Sequence, residues 1–345
     1  MYLRKDEQVI YSLRDLYRRY GYHQYKVTKF EEYELYARNK SFLVSDKMLT
    51  FTDTNGKLMA LKPDITLSIV KNARPAPGSV DKVYYCENVY RAGSNYNGFQ
   101  EITQTGLECL GAIDDYTVCE VMMLACRSLA AITEQYLLQV SHLGFADALL
   151  SQVDPALHRE LLDLVCQKNP AGLSALCATA DIAPSLTQKL ILLADTFGPL
   201  HDLLPTLEAL ADCPQTQAAY GELASIDQAM SEYCLTGKVY LDFSIVSDLN
   251  YYNGIVFQGY VNGLPTHILS GGRYDRLAEK LGKQIGGIGF GVYMSLLERF
   301  WGQEPDEPET ILPYKNGTLQ ETIRAAEALT AQGKRVRVTG KDGAL

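Results

Sequence analysis

The chain has 345 residues, 47% of them hydrophobic, enough to bury the core of two domains or of one large domain with an insertion. A formal net charge of −9 argues against a sequence-independent grip on nucleic acid, which needs a basic face. The eight cysteines form no CxxC pair, the five histidines have no metal-ligand spacing, and no apolar run is long enough to span a bilayer; the reading is reduced, buried thiols in a cytosolic, metal-free chain whose N-terminus lacks an apolar signal core.

Residues 5–20 predict an amphipathic helix, with Val9, Leu13, Leu16, Tyr17 and Tyr20 at helical spacing and Gly21 as the stop. A strand over 22–30 and the acidic run EEYELYAR follow. Strands over 48–53 and 57–61 join through Asn55-Gly56, and Lys62-Pro63-Asp64 opens a helix to about Arg74, with the carboxylate at its positive end. Strands over 82–91 and 99–110 flank the polar loop AGSNYNG. Asp114-Asp115 cap a long helix with Val118, Val121, Met122, Ala125, Leu129 and Ile132 on one face, and a strand over 136–142 follows.

From Gly144 to about Tyr233 only helical patterns occur, broken by Pro155, Asn169-Pro170, Pro184 and Gly198-Pro199, with no strand signal. This reads as a helical insertion over 144–235 between two parts of a core, 1–143 and 236–302. A strand over 238–243 restores the β pattern. A hairpin then runs from strand 255–260 through Asn262-Gly263 to strand 267–270 and into Gly271-Gly272-Arg273-Tyr274-Asp275. The double glycine brings bare backbone close to a neighbour, and the tyrosines around it can wall a small polar ligand or simply pack. The glycine-rich strand 286–291 follows no P-loop or dinucleotide pattern and reads as close strand packing. A helix to about Trp301, the linker EPDEPET and a βαβ-like tail within 303–345, too short for its own core, complete the chain.

Single positions carry two readings each. Asp64 can cap its helix or bind a ligand. Gln104 and Glu108 share one strand face. Tyr251 and Tyr252 point to opposite faces of a regular strand, so one of them is expected to meet a ligand. Arg91 can form a structural ion pair or hold an anionic group, and Tyr274 can be packing alone.

The order of these segments resembles the histidyl-tRNA synthetase family over roughly residues 5–302. LKPDIT (61–66) is similar to that family's Leu-Arg-Pro-Glu-x-Thr, VYRAG…FQEITQTGLECLG to its second class motif, LNYYNGIVF and GGRYD to its two histidine motifs, and GGIGFGV to the start of its third class motif. The resemblance implies an α+β fold of the class II aminoacyl-tRNA synthetase type, an antiparallel sheet flanked by helices, and a homodimer. It implies a histidine pocket made of Asp64, Thr66, Gln104, Glu108, Tyr251, Tyr252 and Tyr274, to which Arg91 is added as a cation able to hold the ligand's carboxylate. The residue types suit the ligand: an α-ammonium wants carboxylate and hydroxyl acceptors, and an imidazole wants a carboxylate and a phenol at its two nitrogens.

The departures concern catalysis. Arg91 keeps the first arginine of the second motif, but a second one expected around 98–100 is absent. The arginine of the first histidine motif falls on Ser247, with Asp248 and Asn250 beside it also changed. The third motif's closing Gly-Leu-Glu-Arg falls on Tyr293, Met294, Ser295 and Leu296, and Glu298-Arg299 come into register only with an insertion in the helix. Thr28 takes the place of the first motif's proline. Losing one transition-state donor costs about 10²–10³ in rate, so three lost cations leave no plausible adenylation. A synthetase-like core with a histidine-shaped pocket and without those cations resembles the regulatory subunits of ATP phosphoribosyltransferase. That resemblance implies a non-catalytic chain without cofactors, a short-form catalytic subunit as hetero-oligomeric partner, and L-histidine as effector of the first step of histidine biosynthesis. The competing readings are an enzyme that activates histidine with ATP and a paralogue that modifies another acceptor.

Overall fold

In the computed structural model, which describes residues 3–40, 43, 47–92, 98–245, 251–301, 310–314 and 319–339, the chain divides into Met1–Phe300 and Trp301–Leu345. The larger unit begins with α1 (Lys5–Arg19), β1 (His23–Gln24), β2 (Phe30–Glu32), α2 (Tyr33–Ala37), β3 (Thr50–Thr52), β4 (Leu58–Leu61) and α3 (Thr66–Asn72). Two long strands, β5 (Val80–Ala92) and β6 (Phe99–Gly111), precede α4 (Asp115–Ala130) and β7 (Tyr136–His142). Then come α5 (Leu143–Leu150), α6 (His158–Cys166), α7 (Pro170–Thr179), α8 (Pro184–Asp195), β8 (Phe197–Pro199), α9 (Leu200–Glu208), α10 (Pro214–Glu232) and β9 (Val239–Asp242). The run closes with β10 (Ile255–Val261), β11 (Leu269–Arg273), α11 (Asp275–Lys280), β12 (Gly286–Tyr293) and α12 (Met294–Trp301).

Nine strands form one sheet in the order β1-β5-β6-β12-β11-β10-β7-β9-β8. The expected antiparallel pattern holds except at two pairs, β1 with β5 and β7 with β9, which are parallel. The period-2 alternation of β5, β6 and β12 sorts residues onto two faces. On one face Tyr17 of α1 meets Tyr84 and Phe290, with ring centroids 6.2 and 6.1 Å away, and its hydroxyl shares a hydrogen bond with Ser128 of α4 at 2.9 Å. On the other face Val83, Tyr85, Val89 and Leu110 pack with Ile65, Leu67, Ile69, Tyr274 and Leu277. The three-stranded sheet β2-β4-β3 adds Ala60 to that second core.

Asp114 caps α4 as expected, its Oδ1 accepting from the Thr117 amide at 2.8 Å. Four sequence expectations change. The helix predicted from residue 62 starts at Thr66, because Asp64 Oδ1 takes the Leu67 amide at 2.8 Å and so sits before the first turn. The strand expected over 22–30 splits into β1 and β2, with the residues between them outside any ladder. The hairpin's second strand lies at Leu269–Arg273 rather than 267–270, which places both glycines inside the ladder. Finally, Gly198-Pro199 is not only a helix breaker. Phe197–Pro199 forms β8, paired with β9 at the sheet's edge, where a proline lacking its N–H is tolerated.

The smaller unit matches the expected pattern: β13 (Thr310–Pro313) and β14 (Val336–Thr339) pair in parallel, with α13 (Leu319–Ala331) between them in the chain.

Candidate functional site

Strand β12 reads Gly-Gly-Ile-Gly-Phe-Gly-Val-Tyr, so one face carries Ile288, Phe290 and Val292 and the other Gly287, Gly289 and Gly291. Of the large residues, Phe290 meets Tyr17 of α1. The glycines leave bare backbone, and side chains from neighbouring elements lie down upon it. A Cβ on Gly289 would stand 1.8 Å from Glu108 Oε2, and one on Gly287 would stand 2.3 Å from the Tyr274 ring. One on Gly291 would stand 3.1 Å from the Tyr85 hydroxyl, and on β11 one on Gly272 would stand 2.7 Å from the Tyr252 ring. The glycine run is therefore a bare floor on which these side chains pack closely.

Glu108 sits at the centre of that floor, only 1% exposed. Thr66, the first residue of α3, donates its hydroxyl to Oε1 at 2.7 Å, and the Tyr274 hydroxyl donates to Oε2 at 2.5 Å. Burial pushes the Glu108 carboxyl up to about 8; the two hydroxyl donors offset part of this, and the nearby Asp64 charge adds to it. Burial also raises the Asp64 carboxyl, against the pull of Arg91. The Arg91 guanidinium stands 3.9 Å from Asp64 Oδ2 and donates from Nε to the Pro63 carbonyl at 2.8 Å. Burial likewise holds the phenols of Tyr85, Tyr251 and Tyr274 well above their ordinary range, so all three remain hydrogen-bond donors at neutral pH.

The structure brings the eight candidate residues onto one side of the sheet. Gln104, 5% exposed, lies two pleats from Glu108 on the same face of β6. Tyr251 and Tyr252 do not diverge, as a regular strand would make them. They precede β10 in a turn, with ring centroids 4.6 Å apart, and both pack against the second core, Tyr251 lying 6.1 Å from Tyr274. Sequence reasoning missed Tyr85. It lies directly across the β5–β6 ladder from Gly106, where a Cβ would come 2.8 Å from its hydroxyl. A tyrosine opposite a glycine, two residues from Glu87 on the same face, was the available signal.

Two of the positions that depart from the synthetase third motif make internal bonds. The Tyr293 hydroxyl shares a hydrogen bond with Ser270 Oγ at 2.8 Å, and Ser295 Oγ accepts from the Thr103 amide at 3.0 Å. Ser247, Asp248 and Asn250 lie outside the described residues, as does the side chain of Arg299. Among the described residues no cluster of three or more His, Cys, Asp or Glu is placed to hold a metal, and no helix is long and apolar enough to cross a membrane. Two carboxylates, a hydroxyl, an amide and several phenols gathered beside the glycine strand suit a small ligand with cationic or N–H donor groups.

The raised Glu108 carboxyl has a thermodynamic consequence. An unfolded glutamate ionises near pH 4.3, so between there and about pH 8 the folded chain holds a proton that the unfolded chain has shed. Stability should fall as pH rises through that window and level off above it. Urea unfolding at pH 5 and pH 8 is expected to show the wild type losing on the order of a few kcal/mol relative to Glu108→Gln. Parallel pH profiles for the two chains would place the titration elsewhere.

A family model described as Histidyl-tRNA synthetase matches residues 2–297. The chain is 30% identical over 332 residues to the ATP phosphoribosyltransferase regulatory subunit of Shouchella clausii, covering 93% of this chain and 83% of that protein. It superposes with a TM-score of 0.83 at 24% identity on an ATP phosphoribosyltransferase regulatory subunit/histidyl-tRNA synthetase from Bacillus halodurans, over 99% of this chain and 89% of the other. A chain of the Thermotoga maritima ATP phosphoribosyl transferase (HisG:HisZ) complex matches with a TM-score of 0.66 at 20% identity, over 83% of this chain and 96% of that one.

Proposed function

The chain belongs to the histidyl-tRNA synthetase family and, within it, to the regulatory subunits of ATP phosphoribosyltransferase; from that membership we propose that it performs no chemistry of its own and carries L-histidine in the pocket around Glu108. It works in the cytoplasm as a homodimer that joins a short-form catalytic subunit, and histidine held in the pocket is the signal for feedback on the first step of histidine biosynthesis.

The observation that carries the reading is the buried Glu108 carboxyl, gripped by Thr66 and Tyr274 over bare glycine. Such a group is costly to bury and is retained where a ligand N–H or a positive charge will meet it. An imidazole nitrogen fits there, with one of the phenols for the second nitrogen. Asp64 and Thr66 are the acceptors for the α-ammonium, and Gln104 serves either end of the ligand. Arg91 is the cation for the carboxylate, drawn from its 3.9 Å contact with Asp64. Against adenylation stands the engagement of Tyr293 and Ser295, at positions of the synthetase third motif, with the sheet. A triphosphate needs several cations at the moment of reaction.

Two measurements test this. Mixed with a short-form catalytic subunit at micromolar concentration, the chain is expected to raise phosphoribosyl transfer at least tenfold and to make it sensitive to histidine; no complex and no activation would remove the partner from the proposal. Histidine-dependent exchange of pyrophosphate into ATP is expected to stay at background, and robust exchange would return the chain to the activating enzymes.

A further inference from the structure

We infer that Asp275 is the positioning residue of the pocket: it ties the segments bearing Tyr251, Tyr252 and Tyr274 to the glycine strand and so sets the phenol that meets Glu108. The inference rests on the reading of the pocket as a histidine site. Asp275 opens α11 directly after Tyr274. Its Oδ1 accepts from the Gly287 amide at 2.9 Å, and its Oδ2 accepts from Arg273 Nε at 2.8 Å and Asn253 Nδ2 at 3.1 Å.

These donors come from three separate segments: the start of β12, the end of β11 and the turn before β10. Each borders a pocket group. The Tyr274 ring lies over Gly287, Asn253 follows Tyr252, and Arg273 precedes Tyr274. Backbone bonds complete the frame, from the Asn253 amide to the Arg273 carbonyl at 3.0 Å and from the Tyr274 amide to the Gly287 carbonyl at 2.8 Å. The phenol of Tyr274 reaches Glu108 at 2.5 Å with its ring lying on Gly287, and Asp275 holds the Gly287 amide on one side while adjoining Tyr274 on the other. Its own bonds all go to the frame, so its effect on a ligand passes through the tyrosines. A charged acceptor shared by a guanidinium, an amide side chain and a backbone N–H is stronger than three neutral bonds.

Asp275→Asn separates this role from bulk packing. An amide keeps one oxygen for the Gly287 N–H but presents an NH₂ where Arg273 and Asn253 need an acceptor. Calorimetry with L-histidine on the full chain is expected to show binding 10–100-fold weaker, with the melting temperature within a few degrees of wild type. Hydrogen exchange in peptides covering 251–254 and 286–289 is expected to speed up at least tenfold, with α4 unchanged. As a control, Val121→Ala in α4 lowers stability by opening a cavity on a fully buried site and should leave histidine affinity within twofold. If Asp275→Asn melts far below wild type, Asn253→Ala, which deletes one of the three bonds, carries the same comparison.

Wild-type affinity retained within twofold in the variant overturns the inference. If the wild type itself binds no histidine, the histidine reading falls. Exchange then decides the rest: faster exchange at 251–254 and 286–289 upholds Asp275 as the positioning residue, and unchanged exchange overturns it.

Discussion

Glu108→Gln is expected to weaken L-histidine binding at least 100-fold, measured by calorimetry on the full chain, while leaving the protein at pH 8 as stable as wild type or more so. Glu108 offers two oxygens, each already taken by a hydroxyl donor, Thr66 at 2.7 Å and Tyr274 at 2.5 Å. An imidazole entering the pocket meets a group that can accept from it in ionised form and balance its charge. Glutamine offers one oxygen and turns an NH₂ toward the second partner. A hydrogen bond to a charged group contributes about 1.5–3 kcal/mol, and leaving a buried partner unsatisfied adds to the loss, so a hundredfold change, about 2.8 kcal/mol, is within reach. Stability moves the other way, because burial is what pushes this carboxyl up to about 8 and a neutral amide avoids that cost. Full histidine affinity in the variant would remove Glu108 from the binding site.

Gly289→Ala should be a damaging substitution at the centre of the sheet. The added methyl would stand 1.8 Å from Glu108 Oε2 and 2.4 Å from the Leu107 carbonyl oxygen. The carboxylate can swing away only by leaving Thr66 and Tyr274. The carbonyl can retreat only by parting β12 from β6, which pair at Gly289 and Glu108. Overpacking a core costs about 1–3 kcal/mol and occasionally more; here backbone is the obstacle, so about 3 kcal/mol is expected, together with loss of histidine binding. Gly221→Ala in α10 is the contrast, since nothing lies within 4 Å of its added Cβ, and it should be neutral or stabilising by about 1 kcal/mol. A Gly289→Ala melting temperature within 2 °C of wild type would show that the floor yields and that the glycine face is not a steric requirement.

Several features could be read from local pattern alone. The helical spacing from Val9 to Tyr17 yields α1 with Val9, Leu13 and Tyr17 buried. Two strand-like runs about a polar loop yield the β5–β6 ladder, and the period of two places Gln104 and Glu108 on one face. Features that depend on a turn do not follow from local pattern. A regular strand would send Tyr251 and Tyr252 to opposite faces, but they sit before the first residue of β10, where no alternation applies. Gly198-Pro199 reads as a helix breaker, and nothing local distinguishes that from an edge strand waiting for β9.

The chemical inventory of the pocket, the order in which its parts arrive and the likeness to synthetases were all carried by the chain's own residue types and spacings, since each depends on neighbours a few positions away. Folding settled the rest: that Glu108 meets a phenol 166 positions on, that three glycines clear a floor for it, and that Asp275 gathers donors from three segments. Contacts of that range are set by how a sheet orders its strands, and a carboxyl's affinity for its proton is set by how completely water is shut out around it. Neither quantity is a property of any short stretch of residues.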